Sequence, residues 1–207
     1  MTVGLDGAAV EDDLCSGRLD CPGVGCGAAL WPWGSARERH VRGAGRLLPR
    51  RGRCRGCRRT QVLLPASVLL RRADAATVIG TALVAKAGGA GHRPIAVLLN
   101  VPASTVRGWL RRIRSVADRV LAVLAAAAAE LGTEFAAPAP TADSVAAVVE
   151  MLGALAAAMA RRLGGSCSPW RLAAVLTGGR LLTTAGPELG SGWAGRRNTN
   201  SLWAAGP

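Results

Sequence analysis

The sequence predicts a mainly α protein with a small β zinc ribbon near its N-terminal end, and three observations carry that prediction. Four cysteines fall in two pairs, Cys21-x4-Cys26 and Cys54-x2-Cys57, separated by 27 residues. A helical apolar period runs on both sides of Asn100, between Gly91 and Arg114. Beyond residue 115 the chain is alanine-rich, with valine and leucine at helical spacing and no β-rich run. The expected organisation is a disordered arm over 1–14, a zinc ribbon over 15–65, a helix-turn-helix over 73–115, an Ala-rich helical region over 116–186 and a tail over 187–207.

The arm is polar and acidic (Asp6, Glu11, Asp12, Asp13) and shows no period. In the ribbon, each cysteine pair predicts a tight knuckle that aims two thiolates at one metal, and two knuckles complete a tetrahedron. Gly23, Gly25, Gly27 and Gly56 supply backbone freedom for φ > 0 around them. Cys21, Cys26, Cys54 and Cys57 are therefore the candidate ligands of one structural Zn²⁺, with Cys15 and His40 as substitutes of weaker claim. Residues 39–42, 46–49 and 60–64 read as short strands, with Trp31 and Trp33 expected to pack beneath them. A core this small needs its metal to fold.

A supporting helix is expected over 74–87, capped by Asp74, with Val78, Ile79, Leu83 and Val84 as its apolar stripe and glycines at 88, 89 and 91 ending it. Pro94 suits the first turn of the next helix. Ala96 supplies the small residue of a close helix crossing, Asn100 the left-handed turn, and Val106 an apolar return to the crossing. Ile95, Leu99, Val101, Trp109, Leu110 and Ile113 complete the buried set. Ala103, Ser104, Thr105, Arg107, Gly108 and Arg111 stay outside, as a helix entering a DNA major groove requires. The alternative is an ordinary corner between two helices with solvated arginines.

From Ser115 this helix continues to about Leu131, with Val116, Val120, Val123, Leu124 and Leu131 on one stripe. Gly132, Pro138 and Pro140 mark a hinge. A helix capped by Asp143 or Ser144 runs to Leu163, and another starts at Ser168-Pro169 and stops at Gly178-Gly179. Helices 116–131 and 144–163 are expected either to self-associate as a homodimer or to fold back as a hairpin. Trp193, Arg196, Arg197, Asn198 and Trp203 lie in a tail without period.

Charge points to the partner. The formal net charge is +13, and every basic residue but Lys86 is arginine, a bias that a GC-rich genome alone would produce. Position separates the two readings. Residues 37–119 hold 19 basic and three acidic residues, net +16, whereas the rest of the chain is net −3. Such a block suits a polyanion, nucleic acid first. Arg50, Arg51, Arg53, Arg55, Arg58 and Arg59 crowd the second knuckle, where like charges repel unless phosphate or solvent screens them. The acidic start is no export signal, and six cysteines without one suit a reducing cytosol, where metal ligation is favoured over disulfides. Residues 144–163, interrupted by Glu150, are too weakly apolar for a span, which needs about 20 strongly apolar residues. The expectation is a cytoplasmic, nucleoid-associated protein with no membrane partner.

The stretches Cys-Pro-Gly from Cys21, Arg-Cys-Arg-Gly-Cys-Arg-Arg-Thr from Arg53, and Gly-His-Arg-Pro-Ile-Ala to Ser-Thr-Val-Arg-Gly-Trp-Leu-Arg-Arg have a recognisable order. Over residues 20–115 the chain resembles the zinc-ribbon-plus-helix-turn-helix proteins of high-GC bacteria similar to the N-terminal region of insertion-sequence transposases. The resemblance implies sequence-specific binding of double-stranded DNA and a transposase or integrase partner. Two departures stand out: the first knuckle is x4 where x2 is usual, and Pro102 replaces the usual capping Ser. Candidate DNA contacts are Ser104, Thr105, Arg107, Arg111 and Arg112 on the second helix, with Arg53, Arg55 and Arg58 in the ribbon. A transposase needs three carboxylates around two metals on a strand-rich domain. Asp118, Glu130, Glu134, Asp143, Glu150 and Glu188 lie mostly on or beside Ala-rich helices, so no enzyme is expected. A transcription regulator unrelated to transposition and a zinc-ribbon adaptor between proteins are the alternatives.

Overall fold

The computed structural model describes residues 1–207 except 133, 134, 185 and 188–207. Apart from Pro187, the expected tail lies outside the described residues. Six helices and seven short strands make up the described chain.

Residues 1–14 are not an arm: strand β1 (Thr2–Val3) and helix α1 (Gly7–Cys15) occupy them. The acidic residues that suggested disorder have particular jobs. Asp6 caps α1 by accepting the Ala8 and Ala9 N–H groups at 2.9 and 3.3 Å. Val10 and Leu14, four apart, put one apolar face inward, and both are buried. Glu11 takes Arg50 in a bidentate pair, Nε and Nη2 each at 2.6 Å.

Strands β2 (Leu30–Ser35), β5 (Arg50–Cys54) and β6 (Thr60–Val62) form an antiparallel sheet with β5 in the centre, Trp31 facing Arg53 and Arg53 facing Thr60 across the registers. Strands β3 (Arg39–Val41) and β4 (Gly45–Leu47) make a hairpin, and β7 (Leu64–Pro65) pairs in parallel with β1. The sequence marked β3, β4 and β6 but not β2 or the central β5. In β5 the inward positions are Gly52 and Cys54 and the outward ones arginine, so no apolar alternation announces it. Gly52 is needed there: a Cβ would stand 3.0 Å from Leu14 Cδ1 and 3.2 Å from Leu30 Cβ. Glycine lets α1 seat on one face of the sheet.

The opposite face is open, which corrects the expected place of the tryptophans. Leu30 points inward and is fully buried, so the period of two turns Trp31 and Trp33 outward. They are 47% and 52% exposed and do not pack beneath the described strands.

The helical part holds α2 (Ala76–Ala87), α3 (His92–Leu99), α4 (Ala103–Leu131), α5 (Ser144–Leu163) and α6 (Pro169–Leu176). Its core joins Ile79 and Leu83 of α2, Ile95 of α3, Val106, Ile113, Val120 and Leu124 of α4, Val148, Leu152 and Leu155 of α5, and Leu172 of α6. Each such side chain contributes about 1.5–3 kcal/mol when fully buried. Asp74 does not cap α2; its carboxylate is buried and paired with Arg42 at 3.5 Å, and Ala75 holds the cap position without a side-chain bond. Val84, expected on the buried stripe of α2, is half exposed. Asp143 does cap α5, accepting from Val145 and Ala146 at 2.8 and 3.2 Å.

Helices α4 and α5 pack on each other within the chain, burying Ala127, Ala128, Ala156 and Ala158. Val120 and Leu124 of α4 and Val148, Leu152 and Leu155 of α5 are buried in the same core. Contrary to the expectation for residues 144–163, helix α5 is long and apolar enough to cross a membrane, the one described helix that is; it is also the core helix on which α2, α4 and α6 rest.

A third small core, of Val41, Leu64, Val68 and Ala75, joins the ribbon to the helices. The β3–β4 turn lies so close to α2 that a Cβ on Gly43 (φ 80°) would meet Val78 Cγ2 at 2.6 Å. Arg42 bridges the two parts: besides Asp74 it reaches the Asn100 carbonyl between α3 and α4, at 3.4 Å.

Candidate metal centre and nucleic-acid interface

Each knuckle is folded by its own backbone. In the first, the Cys26 N–H donates to the Gly23 carbonyl at 3.0 Å, and Gly25, the third residue of that turn, sits at φ 70°. The Gly23 N–H donates to Cys21 Sγ at 3.4 Å. The two extra residues of the x4 spacing are thus absorbed in a turn that still points both sulfurs one way. In the second, the Cys57 N–H donates to Cys54 Sγ at 3.4 Å and the Cys54 N–H to the Arg59 carbonyl at 2.9 Å.

The left-handed residue of the second knuckle is Arg58 (φ 61°), not Gly56. Gly56 is required for closeness instead, since a Cβ would stand 3.0 Å from Ala28 Cβ and 3.4 Å from Cys26 Sγ.

The knuckles face each other. Cys21 Sγ lies 3.7 Å from Cys57 Sγ, Cys26 Sγ lies 3.5 Å from Cys54 Sγ, and all four sulfurs fall within 4.8 Å of one another. Sulfurs at the corners of a tetrahedron around an ion at about 2.3 Å stand about 3.8 Å apart. The residues fit a bound metal ion. Burial pushes the Cys21 thiol up to about 12, and the neighbouring thiols add to the rise. Burial raises Cys54 as well, but the Cys57 N–H and the three adjacent thiols outweigh it and bring Cys54 down to about 6. Cys54 thus ionises readily while Cys21 resists, because thiolates this close repel. A cation at their centre removes that conflict. Four sulfur ligands around a tetrahedral ion would leave no open position.

Cys15 and His40 are not part of it. Cys15 is exposed on α1, with Sγ 3.8 Å from Glu11 Oε1, and His40 is exposed on β3.

The arginines around the second knuckle divide into groups. Arg50 is held by Glu11 and donates to the Gly34 carbonyl at 2.8 Å, so it belongs to the fold. Arg53 lies over the Trp33 ring at 4.5 Å and Arg55 over the Trp31 ring at 4.0 Å. Arg51, Arg58 and Arg59 are exposed. Trp31, Trp33, Arg53, Arg55 and Arg58 line an open groove of about 210 Å³ beside Cys54. Both tryptophans line this groove rather than the underside of the strands, where the sequence predicts them. The alternation of Leu30, Trp31, Pro32 and Trp33 was the signal available, since it puts both rings on one face.

On the helical side, α3 ends at Asn100 in the left-handed region (φ 50°, ψ 51°), and its N–H bonds back to the helix. Pro102 opens α4 without a side-chain cap, and the Thr105 N–H donates to the Pro102 carbonyl at 2.9 Å. Ile95, Ala96, Val101, Val106, Trp109, Leu110 and Ile113 are buried. Ser104, Arg107 and Arg111 are exposed, and Thr105, Gly108 and Arg112 half-buried. Burial first, and then the Arg112 charge, depress the pKa of Arg72. Val97 and Leu98 of α3 are also exposed.

The chain matches no protein-family model, no curated protein and no solved structure.

Proposed function

We propose that the protein is a sequence-specific binder of double-stranded DNA, built from a zinc ribbon and a helix-turn-helix formed by α3 and α4, and that it acts without catalysis as a transposition accessory factor beside a transposase or integrase. The observation that carries this reading is the division of α4 at its start. Val106, Trp109, Leu110 and Ile113 are buried against the supporting helices, while Ser104, Arg107 and Arg111 stand free on the other side, after a left-handed turn at Asn100. Short hydroxyls followed by arginines are what a major groove reads, with arginine bidentate to guanine. The ion held by Cys21, Cys26, Cys54 and Cys57 is zinc on this reading, since four thiolates at tetrahedral spacing suit it best. Ribbon arginines such as Arg58 add phosphate contacts. A cytoplasmic, nucleoid-associated place follows from the partner. Among the described carboxylates, Asp143 caps α5, and Glu150 is exposed along it.

The test begins with a duplex selected from a random pool. Its affinity should fall with salt by about 0.9 log units per phosphate contact per log unit of salt. Arg107→Ala should lose about 1–3 kcal/mol of discrimination at one base pair and leave the melting curve unchanged. Equal loss on selected and random duplexes would reduce Arg107 to a phosphate contact. No loss on either would remove α4 as the reading helix.

A further inference from the structure

We infer that the open face of the β2–β5–β6 sheet is a stacking platform for unpaired nucleobases, so that the protein takes hold of a single-stranded segment of nucleic acid at a site separate from α4. Trp31 and Trp33 stand two residues apart on β2, on the face that α1 does not cover, and about half of each is open to solvent. Large aromatic rings are rarely left out in pairs without a partner to cover them. Each ring already carries one guanidinium, Arg55 on Trp31 and Arg53 on Trp33. A cation against one side of an indole holds the ring in place and leaves the other side for a flat partner.

The partner's charge follows from the surroundings. Strands β2, β5 and β6 contain no carboxylate, Arg53, Arg55 and Arg58 line the groove with the two rings, and Arg51 and Arg59 are exposed in the same stretch of chain. An anionic chain bearing flat, stackable groups satisfies both features at once. Single-stranded nucleic acid is that chain: its phosphates meet the arginines, and its bases, unpaired, can lie on the tryptophans. In an intact duplex the bases are already stacked on one another and cannot do so. The spacing is apt as well. Ring positions i and i+2 on a strand lie about 7 Å apart, close to the separation of successive bases in an extended single strand. The groove between them, about 210 Å³ and lined by both rings and Arg53, Arg55 and Arg58, is open at the surface.

The proposal stands apart from the reading of α4, and its test is separable from that of Arg107. The full chain, loaded with zinc, is titrated with a labelled thymidine oligonucleotide, with an abasic oligomer of equal length and charge, and with the selected duplex. Wild type should bind the thymidine strand at least about tenfold more tightly than the abasic one, because stacking is worth that much or more per base. Trp31→Ala with Trp33→Ala should remove that preference, while Trp31→Phe with Trp33→Phe keeps most of it. Duplex affinity should change by less than about threefold in both double variants, since neither ring meets a paired base. Zinc content and circular dichroism are followed alongside. Should the alanine pair fail to fold, the wild-type comparison of the two oligomers and the phenylalanine pair decide the matter. Equal binding of thymidine and abasic strands by wild type overturns the proposal and leaves the face to an acidic protein segment. Retention of the base preference in a folded alanine pair overturns it too.

Discussion

At Gly80 a single hydrogen atom decides whether α6 can close on α2. A Cβ built there would stand 2.1 Å from the ring carbons of Trp170, so the indole lies directly on the backbone of α2. In an exposed helix interior, replacing glycine by alanine adds about 1 kcal/mol of stability. Here the sign reverses. Gly80→Ala should destabilise by about 1–3 kcal/mol, the usual result of overpacking, and Trp170→Leu in the same chain should recover part of the loss. Urea melts of the single and double variants measure both, and an additive double variant would show that the two residues do not meet. Gly52 and Gly56 follow the same logic in the ribbon, where Leu14 and Ala28 fill the space of the missing side chain. No periodicity in the sequence marks these positions, because a glycine that admits a neighbour looks like one that makes a turn until the neighbour is known. Cys21, Cys26, Cys54 and Cys57 were legible for the opposite reason: sulfur chemistry forces their spacing, and the thiols converge as that spacing requires.

Among the elements, those with a strong local signal were read well. Asp143 at the start of α5 and Asn100 between α3 and α4 are local devices, and each is found in the role its chemistry suggests. Strand β5 and helix α1 were missed. The first hides its inward face in a glycine and a cysteine, and the second hides its Val10 and Leu14 spacing among carboxylates. The cap of α5 carries a pH dependence. The Ala146 N–H and then the Val145 N–H hold the Asp143 carboxyl below its ordinary value. A carboxylate depressed in the folded state stabilises it above the ordinary carboxylate range, and that contribution is lost as pH falls through the depressed value. Asp143→Ala should therefore cost about 1 kcal/mol at neutral pH, and the gap to wild type should close in acid. Thermal melts across the acidic range test this, and a gap that persists unchanged would assign the effect to something other than the cap. In α4 the expected result is harsher: Trp109→Ala empties a buried site and should cost about 3–5 kcal/mol, read as a lowered midpoint in the same melts.

Taken whole, the molecule has two principal cores of different origin. The helical one is large and apolar, and the ribbon one is a few side chains around Leu14, Leu30 and Cys54. Removing metal should therefore unfold one and spare the other. Hydrogen exchange after chelation should show the Leu30 and Cys54 amides losing protection while those of Val120 and Leu152 keep theirs. Protection retained throughout would mean that the ribbon stands without its ion. Between the cores lies Arg42, tied to Asp74 on one side and to the carbonyl of Asn100 on the other. That tie has a thermodynamic consequence. If a bound ion steadies the hairpin that carries Arg42, it also steadies the turn before α4, and any ligand of α4 is then linked to the ion. Linkage of this kind runs equally in both directions. Under the proposed function, whatever factor metal lent to the grip of α4 on a duplex, the duplex would return to the grip on metal, and a chain seated on its target would be the last to surrender its ion to a chelator.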